Sequence, residues 1–401
     1  MLEKIQPAPA DAILGLTAAY NSDPRSEKVN LSVGVYKDEQ GKTPILECVS
    51  TAAKQLAEEA ATKSYLPIPG LPEYREAVCE LLFGAGHEVI ETERVATAQT
   101  PGGTGALRVV GEFIKANLPG ATLWHSDPTW PNHPNVFAAC GLELKKYPYF
   151  DAEQNRLDFE GMLAALKQIP AGDVVLLHGC CHNPTGVDPT VAQWEEIASV
   201  LRERGVLPLL DFAYQGFADG IEEDAAGLRA FLSEGAELLI CSSFSKNFSL
   251  YRERVGALAV VGANVESASA LQTQVNAVIR KLYSNPPAHG AELVNTVLRS
   301  STLRAQWVQD VADMRSRINN MRQGFVDALE EAGVPGDYSF ITQQRGMFSF
   351  SGLTKEQVDA LRDEHAIYIV GSGRINVAGL TPSNLKYVAE AIGSVVGQTV
   401  S

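Results

Sequence analysis

The chain has 401 residues, 45% of them hydrophobic and 20% charged, enough for a substantial core in roughly two to three domains of ordinary size. Its 48 acidic against 33 basic residues leave a net charge of −15, which argues against nucleic-acid binding, since phosphate backbones require a basic face. Six cysteines without a regular spacing, no long apolar stretch near the N-terminus and no run of roughly 18 apolar residues together predict a reduced, cytoplasmic chain that neither crosses nor anchors to a membrane.

In chain order, VNLSVGVYKDEQGKTPIL (29–46) reads as extended. RVATAQT (94–100) reads as a strand, then the turn PGG and a helix over TGALRVVGEFIKANL. DVVLLHG (173–179) is a short apolar run of buried-strand type that leads into CCHNPTGVDPT and a helix, VAQWEEIASVLRERG, stopped by Gly205. Next come VLPLLDF (206–212), a helical AAGLRAFLSEG and AELLICSS (236–243). This alternation predicts a parallel sheet wrapped by helices. From about Leu303 to Gly333 the periodicity is helical; GMFSFSGL, AIYIVGSG and RINVAGL then read as short strands interleaved with helices, a second and smaller α/β unit.

Open parallel sheets bind ligands beyond the carboxyl ends of their strands. Three consecutive strands here end in HNPTG (182–186), DFAYQGF (211–217) and SFSKNF (243–248), so Asn183, Asp211, Tyr214 and Lys246 gather on one edge. TPGGTGAL (100–107) adds a Gly-rich turn opening a helix, where free N–H groups favour an anion. It lacks the Gly-Lys-Ser/Thr of a nucleotide loop, and Arg108 stands where a dinucleotide fingerprint needs its third glycine. HGCCH (178–182) contains zinc-type ligands, but adjacent cysteines chelate one tetrahedral ion poorly and no second pair follows; no metal is expected. Ser243, Ser245 and Arg254 can complete a phosphate cup around Lys246, and a lysine beside a bound phosphate cofactor suggests a Schiff base. An aspartate for a pyridinium nitrogen, with a tyrosine and an asparagine for a ring hydroxyl, describes pyridoxal 5′-phosphate.

The same residues resemble a family. LSVGVYKDEQGKTPIL, SYLPIPGL, TPGGTGALR, DPTWPNH, HGCCHNPTG, DFAYQGF, SFSKNFSLYRERVG, YSNPPAHG, GMFSFSGLT and SGRINVAG look, in order, like signatures of the class I aspartate/aromatic aminotransferases, over essentially the whole chain. The resemblance implies pyridoxal-phosphate fold type I: an N-terminal arm and part of a small domain (1–44), a large cofactor domain (45–302) and the rest of the small domain (303–401). It implies that Lys246 carries the cofactor and moves the proton in a ping-pong transamination. Asp211 would hold the pyridine nitrogen protonated, with His133 behind it. Trp130 would stack on the ring, and Asn183 and Tyr214 would bond its oxygen. The phosphate would take Gly102, Gly103, Thr104, Ser243, Ser245 and Arg254, with Tyr65 from a second subunit of a homodimer. Arg374 would clamp the substrate α-carboxylate and Arg280, again from the partner, the distal one. Trp130 and Asn183 would also touch the substrate, and Gly34 and Phe348 would line the closing site.

Val35, Lys37, Thr43, Ser64, Thr104 and Asn285, at the positions expected to line the side-chain pocket, form a polar set. They favour aspartate and glutamate with 2-oxoglutarate or oxaloacetate; the alternative is an aromatic aminotransferase of the same subgroup. Beside these stand another fold-type-I enzyme, such as a decarboxylase or lyase, and a nicotinamide oxidoreductase, which rests on the parallel sheet alone. A non-catalytic binding module leaves the lysine, aspartate and arginine set unexplained.

Overall fold

The structure is a computed structural model and describes residues 1–8, 11, 13–59 and 62–398. Its largest feature is a seven-stranded sheet. In chain order the strands are β1 (Val95–Pro101), β2 (Thr122–Asp127), β3 (Glu143–Pro148), β4 (Val174–His178), β5 (Leu207–Phe212), β6 (Leu238–Ser243) and β7 (Val255–Val261). They lie in the order β1-β7-β6-β5-β4-β2-β3. All neighbouring pairs are parallel except those of β7, which runs antiparallel to both β1 and β6. This is the mostly parallel α/β sheet that the alternation of apolar runs and helices predicts. Strands β4, β6 and β7 are buried at every residue, as expected for strands covered on both faces.

The helix Gly102–Asn117 buries Ala106, Leu107, Val109, Val110, Phe113 and Ile114 in the main core. Val275, Val278 and Ile279 of the helix Val265–Leu282 join the same cluster. Each of these side chains larger than alanine contributes about 1.5–3 kcal/mol on burial, so the helix that opens at the Gly-rich turn is anchored along its length. The helix Val191–Arg204 starts with a reciprocal cap between Thr190 and Gln193, and it ends at Gly205 in the left-handed conformation (φ 65°). AAGLRAFLSEG is less regular than its sequence suggests: only Ala226–Arg229 is α-helical, and Gly235 (φ 69°) closes a turn.

The chain divides into two compact units, one of Pro44–Asn183 with Val187–Ser316 and the other of Met1–Thr43, Pro184–Gly186 and Arg317–Ser401. The division falls within the 31-residue helix Ser301–Glu331. The second unit is built on very short strands. Phe348–Phe350 pairs antiparallel with Arg374–Asn376, and Val29–Asn30 pairs parallel with Ile367–Tyr368. Arg322 is 1% exposed in this unit and donates to the carbonyls of Ile341, Gly346 and Phe348 and to the Ser349 hydroxyl. Among the described residues, no helix is long and apolar enough to cross a membrane.

Candidate active site

Because β1, β4, β5 and β6 point the same way and β7 returns between β6 and β1, four strand ends and one strand start share an edge. Register fixes this placement: Asp211 lies opposite His178 and Cys241, and Gly256 lies opposite both Ser243 and Thr100.

Asp211 sits near the end of β5, buried. Its Oδ2 is 2.9 Å from His133 Nε2, and His133 Nδ1 is 2.8 Å from the Thr129 hydroxyl. An ionised carboxylate only accepts, so Nε2 carries the proton and Nδ1 accepts from Thr129. Burial pushes the Asp211 carboxyl up, but the hydrogen bond from His133 and the nearby His178 and Lys246 outweigh it, and the net effect holds Asp211 below the usual carboxylate range. Trp130 meets the His133 ring edge-on, with centroids 5.2 Å apart.

After β4, Asp188 accepts the N–H groups of Cys181 (2.7 Å) and His182 (2.8 Å), which folds the loop that presents Asn183, 4% exposed. Tyr214 follows β5, and Lys246 Nζ lies 4.7 Å from the centroid of its ring.

The Gly-rich turn closes the group. Gly102 has φ 76°, and a Cβ there would come 2.5 Å from Arg254 Nη2; one at Gly103 would come 3.1 Å from Ser243 Cβ. Only glycine allows the helix start to approach these two side chains so closely. Arg254 Nη1 donates to the Ser245 hydroxyl (3.3 Å) and to the Tyr251 carbonyl (3.0 Å). A helix N-terminus, Thr104 in its first turn, two serine hydroxyls and a guanidinium form a cradle fitted to a phosphate. An ionised carboxylate fits a pyridinium nitrogen, and a lysine amine over a tyrosine ring fits an aldehyde. The residues present fit pyridoxal 5′-phosphate.

A second group lies in the other unit. Arg374 is 2% exposed; its Nη2 donates to the Ser32 carbonyl (2.6 Å), and its guanidinium lies 4.2 Å from the centroid of the Phe348 ring. A Cβ at Gly34 would come 2.5 Å from Phe348 Cζ. Tyr65 is 91% exposed, and Arg280, exposed at the end of its helix, donates to the Ser284 hydroxyl.

Sequence reasoning weighed His178 only as a metal ligand in HGCCH and missed its place 5.0 Å from His133 between ring centroids, with no hydrogen-bond partner on either ring nitrogen among the described residues. It also missed Thr129, whose hydroxyl lies 2.8 Å from His133 Nδ1; DPTWPNH offers no signal for it beyond the threonine itself. Two buried groups have ligand atoms close enough to share a metal, His133, His178 and Asp211, and Cys180, Cys181 and Asp224. In the second, both Asp224 oxygens already accept backbone N–H groups.

Fold and site together define a pyridoxal-phosphate enzyme that moves amino groups between amino acids and 2-oxo acids. The model of the family "Aminotransferase class I and II" matches residues 26–392, and the chain belongs to that family. Within it the chain falls in the aspartate/aromatic subgroup. It is 55% identical to an aspartate aminotransferase of Salmonella typhi, covering 99% of this chain and 100% of the relative. It is 51% identical to an aromatic-amino-acid aminotransferase of Pseudomonas aeruginosa, covering 98% of each. Among solved structures it is similar to the aromatic-amino-acid aminotransferase of Burkholderia pseudomallei covalently bound to pyridoxal phosphate, with a TM-score of 0.96, 48% identity and 99% of each chain covered. The cytoplasmic aspartate aminotransferase of Saccharomyces cerevisiae also has a TM-score of 0.96, at 38% identity and 99% coverage of each chain.

Proposed function

We propose that the preferred exchange is between aspartate and 2-oxoglutarate, carried out in the cytoplasm by a homodimer. The observation that carries this reading is the mostly polar set Val35, Lys37, Thr43, Ser64, Thr104 and Asn285, five of whose six members are polar and suit a short carboxylate side chain better than an aromatic ring. Six free, buried cysteines suit a reducing compartment. The exposure of Tyr65 and Arg280 suits residues that serve a neighbouring subunit.

In this reading Lys246 would hold the cofactor, and its amine would serve as base and then acid, taking the proton from the substrate Cα and delivering it two atoms away in the 1,3-shift that transfers the amino group. When bound, the cofactor supplies a protonated ring that takes up the electron pair left at that carbon. Asp211, kept ionised by His133, holds the proton on the ring nitrogen. Asn183 and Tyr214 donate to the ring oxygen, and Trp130 covers the ring face. Gly102, Gly103, Thr104, Ser243, Ser245 and Arg254, with Tyr65 of the second copy, hold the phosphate. Arg374 binds the substrate α-carboxylate as a bidentate fork, and Arg280 of the second copy binds the distal carboxylate. Gly34 and Phe348 give Arg374 its apolar backing.

Steady-state kcat/KM for aspartate, phenylalanine and tyrosine, each with 2-oxoglutarate, tests the preference. Aspartate is expected to lead, with some turnover of the aromatics; equal or higher values for phenylalanine or tyrosine overturn the reading in favour of the aromatic branch.

A further inference from the structure

The turn that carries Tyr214 is tied down more heavily than chain reversal alone demands. Asp224, 6% exposed, accepts the N–H groups of Gly216 (2.8 Å) and Ala218 (3.0 Å) at Oδ2. It accepts those of Asp219 (2.8 Å) and Gly220 (3.2 Å) at Oδ1. One carboxylate thus gathers the backbone donors of almost the whole turn after Tyr214.

The carbonyls of the same turn are fixed as well. Gly216 O accepts from Arg315 Nη1 (2.8 Å), and Gln215 O accepts from the side-chain amide of Asn247 (3.1 Å). The Gln215 side chain donates to Ile221 O (2.9 Å) and Leu81 O (3.3 Å). Asn247 directly follows Lys246, and its own carbonyl accepts from the Trp307 indole (2.8 Å). A continuous chain of hydrogen bonds therefore runs from Asp224 through the Tyr214 turn to the residue beside the lysine.

A buried carboxylate carries a desolvation cost that a neutral asparagine or a glycine turn avoids. At Asp224 burial is the largest influence, and it keeps the carboxyl above its usual range despite the four N–H donors. What the charge offers in exchange is stiffness, because charge-assisted hydrogen bonds are shorter and about twice as strong as neutral ones. Stiffness matters most where a hydroxyl must point at one atom.

We infer that Asp224 is a positioning residue for the cofactor ring: the turn it holds aims the Tyr214 hydroxyl at the ring oxygen and, through Asn247, sets the base of the Lys246 loop. The inference rests on the roles given above to Tyr214 and Lys246. A hydroxyl donating to the ring oxygen stabilises negative charge there and weakens its hold on the proton of the Lys246 nitrogen. Misaiming that hydroxyl raises the pH at which the proton leaves.

The test is a pH titration of the visible absorption of the holoenzyme, run on wild type, Tyr214→Phe, Asp224→Asn and the double variant, beside thermal melts. Tyr214→Phe is expected to raise the midpoint, and Asp224→Asn to raise it in the same direction by about half a unit or more. The double variant should sit with Tyr214→Phe alone, because the two changes act on one hydrogen bond. If Tyr214→Phe leaves the midpoint in place, the role of Tyr214 itself is wrong. If Tyr214→Phe moves it and Asp224→Asn does not, whatever its melting temperature, Asp224 only stabilises the fold and the inference falls. Should Asp224→Asn give no folded holoenzyme, Asp224→Glu, which keeps the charge but displaces the turn by one methylene, takes its place; an unchanged midpoint there overturns the inference equally.

Discussion

The cup at the sheet edge and the Arg374 group both offer a guanidinium that suits an anion, but they are built in opposite ways. The cup spreads its polar groups over a helix start, Ser243 at the end of β6, Ser245 just beyond it and Arg254 just before β7, and glycines at 102 and 103 let the backbone come close to Arg254 and Ser243. The Arg374 group concentrates its charge in one guanidinium, which donates to the Ser32 carbonyl and lies against the Phe348 ring. A distributed site should weaken by degrees when one member is lost. A concentrated one should fail at a single residue.

The largest effect lies outside the contrast and sets its scale. Lys246→Ala is expected to lower turnover by at least about 10³-fold, because it removes both the cofactor's attachment and the group that moves the Cα proton. Rapid-mixing single-turnover absorbance measures this, and near-normal transamination would refute the assignment.

Arg374→Ala should raise KM for the amino acid by about 10²-fold or more, and Arg374→Lys should recover only part of the loss, since an ammonium cannot reproduce the fork. Steady-state kinetics with both variants decides whether the contacts really converge on one residue.

Gly102→Ala should destabilise the holoenzyme by about 1–3 kcal/mol, because the new Cβ meets Arg254 Nη2 at 2.5 Å and φ 76° strains any side chain. Ser245→Ala should be milder. The pair, read as cofactor Kd by fluorescence titration, breaks the contrast if Ser245→Ala alone abolishes binding.

The smallest expected effect is a pH dependence. Burial and the neighbouring His133 hold His178 down at about 3, against 6.5 for a free histidine. Between these values the unfolded chain binds a proton that the folded one does not, so stability is full above about 6.5 and is lost as pH falls towards 3. Urea midpoints from pH 8 to pH 5 should decline in wild type and decline less steeply in His178→Gln, the remaining slope coming from His182 and His125, which burial also holds down.

How much could be read from the sequence follows the same division. The cup was legible because short apolar strands, each ended by an abrupt polar residue, deliver their chemistry to one edge, and the pattern DVVLLHG, VLPLLDF, AELLICSS needs no partner to interpret. Strand β7, VGALAVV, escaped notice because a fully buried strand shows no alternation and resembles a stretch of buried helix. Arg374 was legible only by resemblance: its strand has three residues, Arg374–Asn376, and nothing in RIN distinguishes a buried arginine from a solvated one. Asp224 and His178 were invisible for a third reason. Their surroundings are assembled from distant parts of the chain, and an aspartate in GIEEDAAG reads as surface charge until its four N–H partners are seen.

The antiparallel course of β7 has a further consequence. Had β7 run parallel to β6, the chain would have needed a crossover back to the far edge of the sheet, and Arg254 would have begun the strand there, a full strand length from Lys246. By turning straight back, the protein puts Lys246 and Arg254, the residues proposed for the reactive end of the cofactor and for its phosphate, on the two shoulders of a single short loop, with Phe244 N donating to Val255 O at its neck (3.1 Å). Under the proposed roles, the loop would work as a ruler whose length is matched to the ligand. Lengthening it by even one residue between Phe248 and Arg252 is the kind of change a surface loop usually tolerates and this one should not.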